Sequence, residues 1–169
     1  CLTDNRINHW YLPKKTKSNS YLKLISYSSF FVISLQIAVI YFHAFTAKLF
    51  VPEWLNGTAT YYWFTHQIFG VPEYLRVTIA HLLSIPFVGI CITWGGIFIE
   101  LILFAWLFMS RNSWNWKIIL FIGILFHLLI ALIHGLVSFS LVMIAALILY
   151  LVPKNKNFKI RRKTATNIA

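Results

Sequence analysis

Residues 118–153 read Ile118-Ile119-Leu120-Phe121-Ile122-Gly123-Ile124-Leu125-Phe126-His127-Leu128-Leu129-Ile130-Ala131-Leu132-Ile133-His134-Gly135-Leu136-Val137-Ser138-Phe139-Ser140-Leu141-Val142-Met143-Ile144-Ala145-Ala146-Leu147-Ile148-Leu149-Tyr150-Leu151-Val152-Pro153, without one Asp, Glu, Lys or Arg. As a single helix this stretch would measure about 54 Å, against a bilayer hydrocarbon core of about 30 Å. It therefore folds back on itself, and His134-Gly135 near its middle is the natural turn. Two spans result, at about 116–133 and 137–152.

The blocks 24–47 and 77–99 also carry no Asp, Glu, Lys or Arg. Of the 169 residues, 59% are hydrophobic and 11% charged. A soluble domain has roughly a quarter charged residues, so this chain lacks the polar surface that a globule in water needs. Disorder, a soluble core and a disulfide scaffold are excluded. A porin-like barrel is excluded too, because the blocks are continuously apolar and do not alternate. Cys1 and Cys91 lie far apart with no paired spacing and read as free thiols. The chain opens on Cys1 with no basic-then-apolar leader, and reads as a piece of a longer polypeptide.

The expected architecture is an all-α, polytopic integral membrane helix bundle of about four spans plus a short interfacial helix. A cytoplasmic segment covers 1–26, the transmembrane domain 27–152 and a basic cytoplasmic tail 153–169. The first two spans fall at about 27–50, closed by Pro52, and 88–109, with Pro86 and Gly95-Gly96 as places to break a long apolar run. Between them, Asn56-Gly57 marks a turn. Thr58 is placed to cap a short helix over 59–69, and 77–86 reads as a partial or interfacial helix. Tyr61, Tyr62, Trp63 and Phe64 put that region at the lipid headgroup level.

Four spans place thirteen of the fifteen basic residues on one side, all but Lys48 and Arg76. The positive-inside rule makes that side cytoplasmic, so both termini of this chain are expected there. Splitting 77–110 into two spans would separate the Arg111 loop from the tail, against the charge bias. The net charge of +11 then reflects topology and attraction to anionic lipid, and no nucleic acid is expected as a partner.

Scarce ionisable groups inside the spans are the functional candidates. Lys48 ends the first span, either snorkelling to the interface or acting as a base in an apolar, aromatic setting. Tyr41 lies seven residues earlier on the same face; Gln36 and His43 form a second polar stripe. Glu100 is a lone carboxylate within a span and must be protonated, paired or facing water. Its bland alternative is a hydrogen bond between helices. His127 and His134 share a face but cannot chelate one ion from a single helix, and no metal is expected. No P-loop, G-x-S-x-G or desaturase histidine box occurs. Asn56-Gly57-Thr58 matches a glycosylation sequon as readily as a turn.

Several stretches resemble a known family. Tyr41-Phe42-His43-Ala44 through Lys48-Leu49, then Glu53-Trp54-Leu55-Asn56-Gly57-Thr58-Ala59 and Tyr61-Tyr62-Trp63, are similar to the signature of the sporulation-delaying protein B (SdpB) family. That family lies within the HTTM superfamily, alongside the vitamin K-dependent gamma-carboxylase. Glu100-Leu101, Arg111, Phe126-His127-Leu128 and the run from Gly135 to Met143 resemble its later helices. Cys1 to Arg6, with His9-Trp10, resembles the cytoplasmic loop before the lysine-bearing helix. Essentially the whole chain is covered, as the C-terminal part of a longer protein.

The resemblance implies a multi-pass protein of the bacterial cell membrane that helps mature or export a secreted antimicrobial peptide toxin. Its implied partners are membrane lipids, the toxin precursor peptide and a small co-encoded protein. Lys48 falls near the lysine thought to deprotonate reduced vitamin K in the carboxylase. On this reading Lys48, Glu100 and His127 carry the chemistry. Tyr41, His43, Trp54, Gly57, Tyr62 and His134 bind or line a cavity open to the outer leaflet, and no cofactor is expected. A second reading is a membrane enzyme acting on a quinone-like lipid, with Lys48 as base and the histidines as relays. A third is a structural or immunity-type partner in which these polar groups only join helices.

Overall fold

The computed structural model describes residues 20–109 and 115–152. The expected basic tail, most of the N-terminal segment and Arg111 lie outside the described residues. Among the described residues seven helices run in order: α1 Ser20–Leu49, α2 Pro52–Leu55, α3 Ala59–Thr65, α4 Glu73–Leu83, α5 Pro86–Ala105, α6 Trp116–His134 and α7 Val137–Leu151. A 3-10 turn over Trp106–Phe108 extends α5. Among the described residues there is no strand. With three helices among the described residues long and apolar enough to cross a bilayer, over Leu24–Leu49, Pro86–Phe108 and Trp116–His134, this is a membrane helix bundle.

The fourth apolar helix, α7, has 15 residues. At the α-helical rise that is about 22 Å, shorter than the hydrocarbon core. It lies against α6 as the second arm of a hairpin. The turn between them is Gly135, whose φ of 68° is the left-handed C-cap that a glycine accepts without strain. Gly123 faces Leu147 of α7. A Cβ there would stand 2.8 Å from Leu147 Cδ1.

Buried stripes on α1, α5 and α7 build the core. On α5 the stripe is Gly89, Thr93, Ile97, Glu100 and Leu103, at the three- and four-residue spacing of a single helix face. It meets Ile37, Ala38 and Tyr41 of α1, and Met143, Leu147, Tyr150 and Leu151 of α7 close the other side. Tyr150 donates its hydroxyl hydrogen to the Leu103 carbonyl at 3.2 Å, pinning α7 to α5. Large apolar side chains outside these stripes, such as Phe31, Ile40, Phe98 and Phe121, point outward. That arrangement suits a lipid solvent, where apolar surface costs nothing to expose.

Two local expectations are corrected. Thr58 stands at the N-cap of α3 but makes no side-chain cap. Its hydroxyl turns back to the Glu53 carbonyl at 3.3 Å, which the tight α2 turn brings within reach. Gly95-Gly96 does not break the second span; both lie inside α5. The break comes at Pro86, which takes the first turn of α5, where a missing N–H is harmless.

The short helices are bolted to α5 by a buried hydroxyl chain. Thr60 and Thr93 place their hydroxyl oxygens 2.7 Å apart, and Thr93 donates on to the Gly57 carbonyl at 3.0 Å. Thr93→Val is expected to cost about 1–3 kcal/mol, because it strands the Gly57 carbonyl and leaves the buried Thr60 hydroxyl only the long 3.4 Å contact to the Gly89 carbonyl. Thermal unfolding in lipid nanodiscs checks this, and an unchanged midpoint would remove the chain of hydroxyls from the account.

Candidate functional site

The charges that sequence alone left isolated meet. Lys48, at the end of α1, donates to both carboxylate oxygens of Glu100 on α5, at 2.6 and 2.7 Å. Its third donor goes to the Ala44 carbonyl one turn back, at 3.2 Å. An ammonium has three donors, so this one is fully used. The ring of Trp54, carried by α2, lies under it at 5.0 Å to the centroid, in cation–π range. The Glu100 side chain is 9% exposed and that of Lys48 20%, so the pair is sheltered on the acid side and reaches the surface on the amine side.

Such a pair has one chemical ability beyond holding helices. An ammonium with no lone pair is not a base. Passing one proton to the carboxylate 2.6 Å away leaves a neutral amine and a neutral acid in its place. The snorkelling alternative for Lys48 therefore gives way to pairing, and of the three options open to Glu100 the ion pair is the one taken.

A second layer lies beside the pair. Tyr41 of α1 is buried, and its hydroxyl has no hydrogen-bond partner among the described residues. It lies two turns before Lys48 on the same face of α1. The Tyr41 ring stands edge-on to His127, centroids 6.1 Å apart. His127 Nδ1 lies 2.8 Å from the Gly123 carbonyl. A carbonyl only accepts, so the proton sits on Nδ1 and a neutral ring offers Nε2 as an acceptor. Ser140 of α7 is a second buried hydroxyl without a partner among the described residues.

His127 and His134 separate. His134 approaches the Phe69 carbonyl at 2.6 Å through Nδ1, and its ring meets Phe64 and Trp63 edge-on, at 5.4 and 6.5 Å between centroids. It ties the end of α6 to the aromatic layer after α3. Among the described residues no three of His, Cys, Asp and Glu gather closely enough to hold a metal ion. His43 faces outward with Phe42 as its ring neighbour, because the seven-residue stripe it shares with Gln36 lies off the packed face of α1.

Clefts among the described residues open near Trp54 and Tyr62. One, of about 320 Å³, is lined by Gly57, Tyr61 and Tyr62 with Ser84 and Ile90 among others. The other, of about 280 Å³, lies between Trp54, Tyr62 and Trp63. Lys48, Glu100 and His127 line neither cleft. Lys48 and Glu100 form a packed ion pair beside an aromatic vestibule, with Trp54 belonging to both. Thr93 was missed as a contributor, although its signal was present. It lies seven residues before Glu100, on the same face of α5.

The HTTM domain family matches residues 4–154. The chain is 38% identical over 152 residues to the uncharacterized protein YitO of Bacillus subtilis (strain 168), covering 90% of this chain and 48% of that protein. It is 38% identical over 156 residues to the sporulation-delaying protein SdpB of the same organism, covering 92% of this chain and 47% of that one. The chain thus spans about half the length of the curated relatives it matches. No solved structure matches it significantly.

Proposed function

The chain belongs to the HTTM domain family, and from that premise we propose that it forms part of a bacterial cell-membrane protein that matures or exports a secreted antimicrobial peptide toxin. Its similarity to SdpB supports the pathway. The observation that carries a working role, beyond a scaffold, is the Lys48–Glu100 pair with the unpartnered Tyr41 hydroxyl beside it. Charges inside a span are costly to keep and are usually functional. In this reading Lys48 and Glu100 hold a mobile proton, Tyr41 and His127 orient the group that receives it, and Trp54 covers the amine side. The precursor peptide and a small co-encoded protein are the partners, no cofactor takes part, and both ends of this segment face the cytoplasm.

Glu100→Gln in the intact protein tests this. The amide keeps the shape and still accepts from Lys48, but it cannot take the proton. Active toxin in the medium is expected to disappear while the amount of protein in the membrane is unchanged. Wild-type toxin yield from Glu100→Gln would leave only the structural, immunity-type reading. The same proton couple also suits a base acting on a quinone-like lipid. A quinone co-purifying at one per chain, and lost in Lys48→Met, would move the assignment to that reaction.

A further inference from the structure

The smaller cleft carries chemistry that the ion pair does not use. It is lined by Val51, Glu53, Trp54, Ala59, Tyr62 and Trp63. Glu53 is an exposed carboxylate with no side-chain partner among the described residues. No basic residue lines the cleft, in a chain whose net charge is +11. Tyr62 is 59% and Trp63 49% exposed, so their rings are open to a ligand. One wall is already shown to hold a cation, since the Lys48 ammonium sits over the Trp54 ring.

Aromatic faces attract cations through the ring quadrupole, tryptophan most strongly, and an unpaired carboxylate adds a full charge to that attraction. A volume of about 280 Å³ is at the lower edge of ligand pockets, large enough for one side chain and too small for a whole lipid. A zwitterionic headgroup would also bring its phosphate against Glu53 with no basic residue in the lining to receive it. A peptide side chain brings no such anion. We infer that this cleft holds a lysine or arginine side chain of a basic peptide between Trp54, Tyr62 and Trp63, with Glu53 as counter-ion. The inference rests on the peptide-handling reading for the source of that cation.

Carbodiimide coupling tests it, because this reagent joins an amine directly to an activated carboxylate with no spacer, so an amine held beside a carboxylate couples to it faster than one arriving from solution. The intact protein in phosphatidylglycerol nanodiscs is treated with carbodiimide and a biotinylated Gly/Ser peptide of about ten residues bearing one lysine, and the attachment site is read by mass spectrometry. Glu73, an exposed carboxylate opening α4 away from the cleft, is the internal control. Labelling at Glu53 is expected to exceed that at Glu73 by about tenfold, the equivalent of 1.4 kcal/mol of local binding. The preference should vanish in Trp63→Leu and persist in Trp63→Phe, which keeps a ring. Equal labelling at the two carboxylates, or a preference that survives Trp63→Leu, overturns the site. Including phosphatidylethanolamine and finding the lipid amine coupled to Glu53 in place of the peptide would assign the cleft to lipid and overturn the proposal. Loss of selectivity alongside lost toxin in Glu100→Gln removes the cleft alone. Selective labelling alongside normal toxin in Glu100→Gln removes the toxin reading alone.

Discussion

Lys48→Ala in the intact protein is expected to destabilise it by about 3 kcal/mol or more, the usual cost of breaking a buried pair by deleting one partner. Glu100 stands on the packed face of α5 at 7% exposure, and its short arm cannot carry a bare carboxylate out to water. Glu100→Ala should cost less, because the stranded lysine has a long stem at the end of α1 and can swing its ammonium to the interface. The double variant Lys48→Met/Glu100→Met removes both charges at similar volume and is expected to recover most of the loss, since an apolar pair often matches a buried ion pair in stability. Unfolding midpoints of the four proteins in lipid nanodiscs close the cycle. Toxin output from the double variant then separates the two uses of the pair. Normal stability with no toxin assigns the pair to function; normal stability with normal toxin assigns it to helix joining. A Lys48→Ala protein as stable as wild type would show that the pair is not desolvated, and the proton couple would lose its basis.

The sequence exposed some parts of this site and concealed others for physical reasons. Lys48 and Glu100 were legible because an ionisable group in an apolar block is rare enough to stand out. Their pairing was not, since it depends on how α1 crosses α5, and no periodicity within one helix encodes a crossing. Tyr41 was legible from its seven-residue spacing to Lys48. The same spacing grouped His127 with His134, yet the two rings serve different neighbours. Tyr41 of α1 and Phe139 of α7 flank the His127 ring, whereas His134, the last residue of α6, meets Trp63 and Phe64 of α3. Gly95-Gly96 misled because helix propensity weighs less in a bundle where no water competes for the backbone. Glu53 and Trp63 escaped as a unit because each alone is an ordinary interfacial residue. Only the turn of α2 into α3 sets them around one cleft.

That turn depends on a single atom's worth of space, which gives the second large effect. Gly57 has φ +77°, and a Cβ built on it would stand 2.6 Å from Ile90 Cγ1 and 3.0 Å from Ile90 Cα. Gly135 has a similar φ of +68° with nothing within 4 Å. Gly135→Ala should therefore cost the left-handed penalty alone, about 1–2 kcal/mol. Gly57→Ala adds an overlap with the α5 backbone that no side-chain rotation relieves, and about 3 kcal/mol or more is expected. Adding Ile90→Ala removes the clash with Cγ1 and leaves the crowding against the α5 main chain, so it should restore part of the loss and no more. Relief of the overlap moves the turn off α5, which pulls the Gly57 carbonyl from Thr93 and draws Trp54 away from the Lys48 ammonium. Gly57→Ala should consequently reduce toxin output as well, although Gly57 touches neither charge. If it loses no more stability than Gly135→Ala, the close approach to α5 is absent in lipid and the vestibule is not held against the ion pair as described.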